Sequence, residues 1–245
     1  MYEGKMAEEN INCPEDFYTQ ALKILNKSGL PFLVGGSYAV MDYTGIKRET
    51  NDFDIFCKPG DYLQILDLFK HAEFKTEISD PRWLAKAFFN KSVVDLIFGT
   101  AQGVVPIDDT WFETPYPAEI LGQKVRLVPP EEIIWSKAYR QDRYRYDGPD
   151  INHMFLKKGD SLDWKRLLTR MEAHWEILFA HILNFRFVYP SEKHIVPGWL
   201  MAELIRRLTY QLSSPIPKEK ITRGLLLAID PYKIDVEEWG YKSIT

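Results

Sequence analysis

Three short motifs carry residue types suited to chemistry at phosphorus. Gly35-Gly36-Ser37 closes the apolar run PFLVGG, Asp52-Phe53-Asp54 follows in NDFDIF, and Asp95 stands in VVDLIF. Side chains alternate across a strand, so Asp52 and Asp54 project from one face. A neighbouring strand bearing Asp95 would add a third carboxylate. Such an oxygen cluster suits Mg²⁺, with Mn²⁺ as a substitute, because these ions are held by carboxylates together with substrate phosphates. Two ions about 3.5–4 Å apart can clamp the attacking and leaving oxygens of an in-line displacement. The glycine turn leaves backbone N–H groups free at a helix start, where a triphosphate binds well, and Ser37 adds a hydroxyl. Acids scattered at strand ends are the commoner meaning of Asp-x-Asp alone. Carboxylates ~6 Å apart, however, repel by roughly 3 kcal/mol at an effective dielectric of about 20. Three of them with no basic partner inside the motif would weaken an empty fold, and a metal would remove that cost.

The elements that must position these residues are legible in order. Pro14-Glu15-Asp16 opens a helix whose apolar positions Phe17, Ala21, Leu22 and Leu25 recur at helical spacing. PFLVGG predicts a buried strand ending in a tight turn, and SYAVMDYTG a short helix closed by Gly45. A strand centred on Asp52 to Phe56 stops at Pro59-Gly60. DYLQILDLFKHAEF is an amphipathic helix with Tyr62, Ile65, Leu66 and Phe69 on one face. AKAFFN and KSVVDLIFG predict a hairpin turning near Asn90-Lys91, and QKVRLVPP a last short strand. Pro129-Pro130 is the clearest boundary. Beyond it a helix is expected through IIWSKAYRQDRY, and the texture stays helical to the end. The expected organisation is therefore α/β, with a small mixed sheet in residues 1–128 and an all-α closing domain in 129–245. The first ten or so residues have the composition of a loose polar tail.

Composition narrows the class. Hydrophobic residues at 45% and charged residues at 27% describe an ordinary globular chain rather than a disordered one. The net charge of −4 excludes a uniformly basic nucleic-acid binder but leaves room for a local basic patch. Cys13 and Cys57 are the only cysteines, without metal-ligand spacing, so neither a disulfide framework nor a zinc site is indicated. No signal-peptide pattern and no membrane-length apolar run occur, so a cytoplasmic protein without membrane attachment is expected. P-loop, dinucleotide-fold and nucleophile-elbow patterns are absent.

GGSYAVMDYTG, NDFDIF and VVDLIFG, in that order over about residues 30–100, resemble the nucleotidyltransferase superfamily of DNA polymerase β. More narrowly, they resemble its small bacterial branch, which includes abortive-infection-type nucleotidyltransferase toxins and aminoglycoside nucleotidyltransferases. The resemblance implies a metal-dependent enzyme that moves a nucleoside monophosphate from an NTP, ATP foremost, to a hydroxyl or phosphate, releasing pyrophosphate. It implies that Asp52 and Asp54 bind both Mg²⁺ ions. Asp95 would bind the catalytic ion and help deprotonate the attacking hydroxyl. Gly36 and Ser37 would contact the β,γ-phosphates, with Gly35 in the same nucleotide-binding turn; Lys47 and Arg48, just before the acid pair, could reach a phosphate or form a solvated loop before the strand. Phe53 is bulkier than the aliphatic residue such enzymes often place between the two acids.

The acceptor is open in sequence: tRNA, a protein or a small molecule. KAYRQDRYRYDGPD interleaves Lys137, Arg140, Arg143 and Arg145 with Tyr139, Tyr144 and Tyr146, a combination that grips phosphates and stacks bases. On a helix, Lys137, Arg140 and Tyr144 would share a face, and a solvated amphipathic helix reads equally well. Asp147-Gly148-Pro149-Asp150 resembles an Asp-x-x-Asp element of the toxin-like enzymes, although Tyr146 stands where they carry a base. Those two acids could instead meet a cationic aminoglycoside. A non-catalytic nucleotide- or partner-binding module on the same fold is the main rival, and a two-metal phosphohydrolase a second. His174 and His181 are expected to be packed, hydrogen-bonded histidines.

Overall fold

A computed structural model describes residues 13–100, 103–114 and 116–244. The expected amino-terminal tail lies outside them. The chain begins with α1 (Pro14–Ser28), whose start is fastened by the Asp16 carboxylate accepting the Cys13 backbone N–H at 3.2 Å. Its buried stripe is Phe17, Tyr18, Ala21, Leu22 and Leu25. β1 (Phe32–Val34), α2 (Gly36–Thr44), β2 (Asp52–Cys57) and α3 (Tyr62–His71) follow. β3 (Lys75–Asp80), β4 (Leu84–Phe89) and β5 (Ser92–Ile97) complete a five-stranded sheet of order β1-β2-β5-β4-β3.

Within that sheet only β2 and β5 run parallel; their register sets Asp54 beside Asp95. The other pairs are antiparallel, so the sheet is mixed. β4 and β5 form the hairpin expected from sequence, with Asn90 at φ 54° in its two-residue turn. β3 was not foreseen. Its residues Lys75 to Asp80 are mostly exposed and polar, as suits an edge strand. A second small sheet pairs β6 (Pro117–Ile120), also unforeseen, with β7 (Gln123–Arg126).

The helical part comprises α4 (Pro130–Ala138), α5 (Gly148–Lys158), α6 (Trp164–Arg170), α7 (Trp175–Val188), α8 (Gly198–Leu212) and α9 (Ile229–Glu237). Two expectations need correction. α4 stops at Ala138 instead of continuing through Tyr144, because the backbone from Arg140 turns back on itself, with Asp147 N–H donating to Arg140 O at 3.2 Å. The carboxy-terminal half also holds a short parallel pair, β8 (Ile221–Thr222) with β9 (Lys242–Ser243), so it is not wholly helical. One contiguous core of buried residues runs from Phe17 on α1 to Leu226 near the carboxy terminus. β1 and α2 are further stitched to the segment that leads into α4, by Val128 N–H to Val34 O at 2.9 Å and by Tyr43 Oη to Val128 O at 2.9 Å. Among the described residues no helix is long and apolar enough to cross a membrane.

Candidate active site

Asp52, Asp54 and Asp95 come together. Each offers an oxygen within 4.8 Å of the others. The parallel pairing of β2 with β5 achieves this, since it puts Asp95 level with Asp54 on the same sheet face. The apolar residue between the paired acids points the other way. Phe53 is fully buried, stacked on Tyr18 at 5.1 Å and edge-on to Tyr38 at 4.7 Å. Its bulk is thus taken up by α1 and α2 and does not enter the carboxylate face.

The electrostatics match the crowding. Burial, then the negative charges of Asp52 and Asp95, push the Asp54 carboxyl up to about 7, while Lys137 and Arg145 oppose the rise. Asp52 is oriented by the Thr50 hydroxyl, which donates to Oδ1 at 2.5 Å. Asp95 has a partner that sequence reasoning missed: Lys86 Nζ lies 2.6 Å from Oδ1. The signal was present. A two-residue turn at Asn90-Lys91 pairs Phe89 with Ser92, and counting back through the hairpin sets Lys86 opposite Asp95.

The glycine turn abuts the acids. Gly36 opens α2 at φ 53°, and a Cβ built there would stand 1.5 Å from Asp54 Oδ2. A Cβ on Gly35 would strike the Phe56 ring at 2.2 Å, while Gly35 N–H donates to Asp54 O at 3.0 Å. Only glycine lets the start of a helix lie directly against the carboxylates. Ser37 Oγ accepts from Arg48 Nη2 at 3.0 Å.

Arg48 itself makes a bidentate pair with Asp150, at 2.8 and 3.0 Å. Lys137 bridges Asp150 at 2.8 Å and Asp147 at 2.9 Å, and Arg145 Nε approaches Asp147 at 3.5 Å. This chain of charges joins the loop before β2 to α4 and α5. Burial alone would raise Asp150, but Lys137 and Arg48 hold its carboxyl below the ordinary value. For Arg145, desolvation is outweighed by Asp147, Asp54 and Asp52, which raise the guanidinium above its ordinary value.

The cleft over the acids is lined by Gly36 and Trp83, by Gly99 and Thr100 after β5, and by Lys137, Arg140 and Arg145 from the helical side. Three carboxylates, a glycine-led helix start and a basic far wall form a donor set fit for divalent cations and a polyphosphate. The histidines stand elsewhere. His181 is buried, with Nε2 3.0 Å from Ala138 O, and His174 meets the Tyr139 hydroxyl at 2.9 Å.

The sequence model of a family described as "Nucleotidyl transferase of unknown function (DUF2204)" matches residues 15–177. No curated protein matches the chain in sequence. Among solved structures, the chain is similar to ANT(2")-Ia in complex with adenylyl-2"-tobramycin, at 18% identity and a TM-score of 0.47, over 71% of this chain and 98% of that one. It is similar to the lincosamide antibiotic adenylyltransferase LnuA at 15% identity and a TM-score of 0.42, over 57% and 94%. A nucleotidyltransferase-like protein from Paracoccidioides brasiliensis gives 19% and 0.43, over 69% and 91%. These likenesses are distant, and family membership rests on the sequence model.

Proposed function

The chain belongs to that nucleotidyltransferase family and is an enzyme of this type; from this premise we propose that it transfers a nucleoside monophosphate from an NTP, ATP foremost, to a hydroxyl acceptor. The observation that carries the reading is the convergence of Asp52, Asp54 and Asp95 against the Gly36 turn. The acceptor oxygen attacks the α-phosphorus, the α–β phosphoanhydride bond breaks, and pyrophosphate leaves with the electron pair.

Asp52, Asp54 and Asp95 would hold two Mg²⁺ ions, which supply charge neutralisation at the attacking and leaving oxygens. The backbone N–H groups opening α2 and the Ser37 hydroxyl bind the β,γ-phosphates. Arg48, pinned on Asp150, orients that hydroxyl. Asp95 accepts the proton of the attacking hydroxyl, and Lys86 holds its carboxylate in place. Lys137 offsets charge that develops on the triphosphate, in a cleft whose lining includes Phe56 and Ile133. A cytoplasmic setting suits an NTP donor.

The test is transfer in a cell extract with each α-labelled NTP and Mg²⁺ or Mn²⁺, beside an Asp52→Asn control. Label on RNA, protein or a small molecule that is absent from the control is the expected result. Tight NTP binding without any transfer would instead favour a non-catalytic binding module, and labelled nucleoside monophosphate released to water would favour a phosphohydrolase.

A further inference from the structure

The basic-aromatic segment after α4 is a small built hairpin. Gln141 and Tyr146 form a bridge, and Asp142 N–H donates to Arg145 O at 3.1 Å. The Asp142 carboxylate accepts from the Tyr144 and Arg145 N–H groups at 2.7 and 2.5 Å, closing the tip. At the base, the Tyr146 ring lies parallel to the buried His181 ring at 6.3 Å and fills the space where Gly148 has no side chain. The tip is thereby held out in solvent, with Arg143 exposed and Tyr144 96% exposed.

Two further guanidiniums of the hairpin face inward. Arg140 and Arg145 line the same cleft as Asp52, Asp54 and Asp95. The Arg140 side chain makes no hydrogen bond or ion pair among the described residues, and Arg145 has only its 3.5 Å contact with Asp147. The cleft carboxylates are all committed. On the transfer reading Asp52, Asp54 and Asp95 hold the divalent cations, and Asp147 is taken by Lys137 and Arg145; beside them, Asp150 is taken by Arg48 and Lys137. A polycationic acceptor would therefore find no free acid there and two under-paired guanidiniums. An acceptor with spaced negative charges and flat rings would find donors for the first and a platform for the second.

Resting on the transfer reading, we propose that the acceptor is a single-stranded polynucleotide, gripped by the Tyr139–Asp147 hairpin. Arg140 and Arg145 meet its backbone phosphates beside the reacting hydroxyl, Arg143 meets a phosphate further out, and a base stacks on Tyr144. The transfer then joins the incoming α-phosphorus to a strand hydroxyl through a new phosphodiester bond. The hydroxyl proton goes to Asp95 and pyrophosphate is released.

The experiment is fluorescence anisotropy of short labelled single-stranded RNA and DNA of one sequence. Each is titrated with the full chain in Mg²⁺, as wild type, Arg143→Ala and Arg143→Ala/Tyr144→Ala, with melting temperatures confirming that the variants fold. Loss of one stacked base and one phosphate contact should weaken binding about tenfold or more in the double variant. Losing Arg143 should also flatten the dependence of log affinity on log salt by about 0.7. Preference for RNA or DNA in the two arms identifies the strand. Absence of salt-dependent binding, or equal affinity in wild type and double variant, overturns the proposal, as does transfer of label only to protein or a small molecule. Failure of the transfer reading is seen separately: wild type would then bind strand through the hairpin yet move no label from any NTP.

Discussion

Gly36 has no room for a side chain, since its Cβ would stand 1.5 Å from Asp54 Oδ2, and its φ of 53° is itself unfavourable for other residues. Gly36→Ala must therefore either displace the Asp54 carboxylate from the cluster or move the start of α2. Misplacement by about 1 Å commonly costs about 100-fold in rate, and the strained backbone about 1–2 kcal/mol. Transfer assays should show at least that loss while circular dichroism reports a folded protein of lower melting temperature. A variant with full activity would mean the glycine turn does not face the chemistry. The raised Asp54 carboxyl gives a second outcome at this scale. Its value moves from 3.8 to about 7 on folding, so the metal-free folded chain holds a proton there that the unfolded chain has already lost. Metal-free stability should then fall as pH rises from about 4 to about 7, by at most about 4 kcal/mol. Mg²⁺ should restore it chiefly above that range, where the carboxylate is ionised. Melting curves across pH with and without Mg²⁺, beside Asp54→Asn, read this directly; a metal-free melting temperature rising between pH 5 and 7.5 as much in wild type as in Asp54→Asn would contradict it.

At the scale of elements, register decides what the motifs become. Lys86 opposite Asp95 follows from the antiparallel hairpin, and Asp54 beside Asp95 from the parallel pairing of β2 with β5. The first was readable from the turn at Asn90-Lys91. The second was not, because strand order is set by long-range packing that leaves no local pattern in either strand. For the same reason the carboxylate motifs, all short-range, were legible, while the partners of Arg48 and Lys137, 102 and 10 residues away, were not. The helix expected through Tyr144 failed on a local cause: Asp142 turns its carboxylate onto two following N–H groups and competes with helical bonding. Two substitutions test the element-level contacts. Lys86→Met removes a cation 2.6 Å from Asp95, so calorimetric titration should show Mg²⁺ binding severalfold tighter, with metal-free stability reduced. Asp150→Ala leaves Arg48 and the buried Lys137 without their shared carboxylate, and breaking such a pair commonly costs about 3–5 kcal/mol. Denaturant midpoints should fall accordingly; a change below about 1 kcal/mol would mean the bridge is of the inconsequential surface kind.

For the whole molecule, the question is whether the sheet half and the helical half are one cooperative body. Sequence suggested a boundary at Pro129-Pro130, where composition and periodicity both change. The contacts across it are extensive: Arg166 Nη2 donating to Thr110 O at 2.9 Å, the Arg170–Asp108 ion pair at 3.1 Å, and the Arg48–Asp150–Lys137 chain. Buried side chains form one cluster on both sides of it. Residues that close the cleft, Lys137, Arg140 and Arg145, come from the far side of the boundary, so an independent helical half would leave the carboxylates facing water. A cooperative body predicts one calorimetric transition whose van't Hoff and calorimetric enthalpies agree. Asp150→Ala should lower that single transition without splitting it, since the shared core remains. Two resolved transitions in the wild type would instead mean that the halves fold separately. The cleft would then be an interface that opens at a free-energy cost set by the ion pairs alone, and strand binding by the hairpin would be insensitive to damage in the sheet.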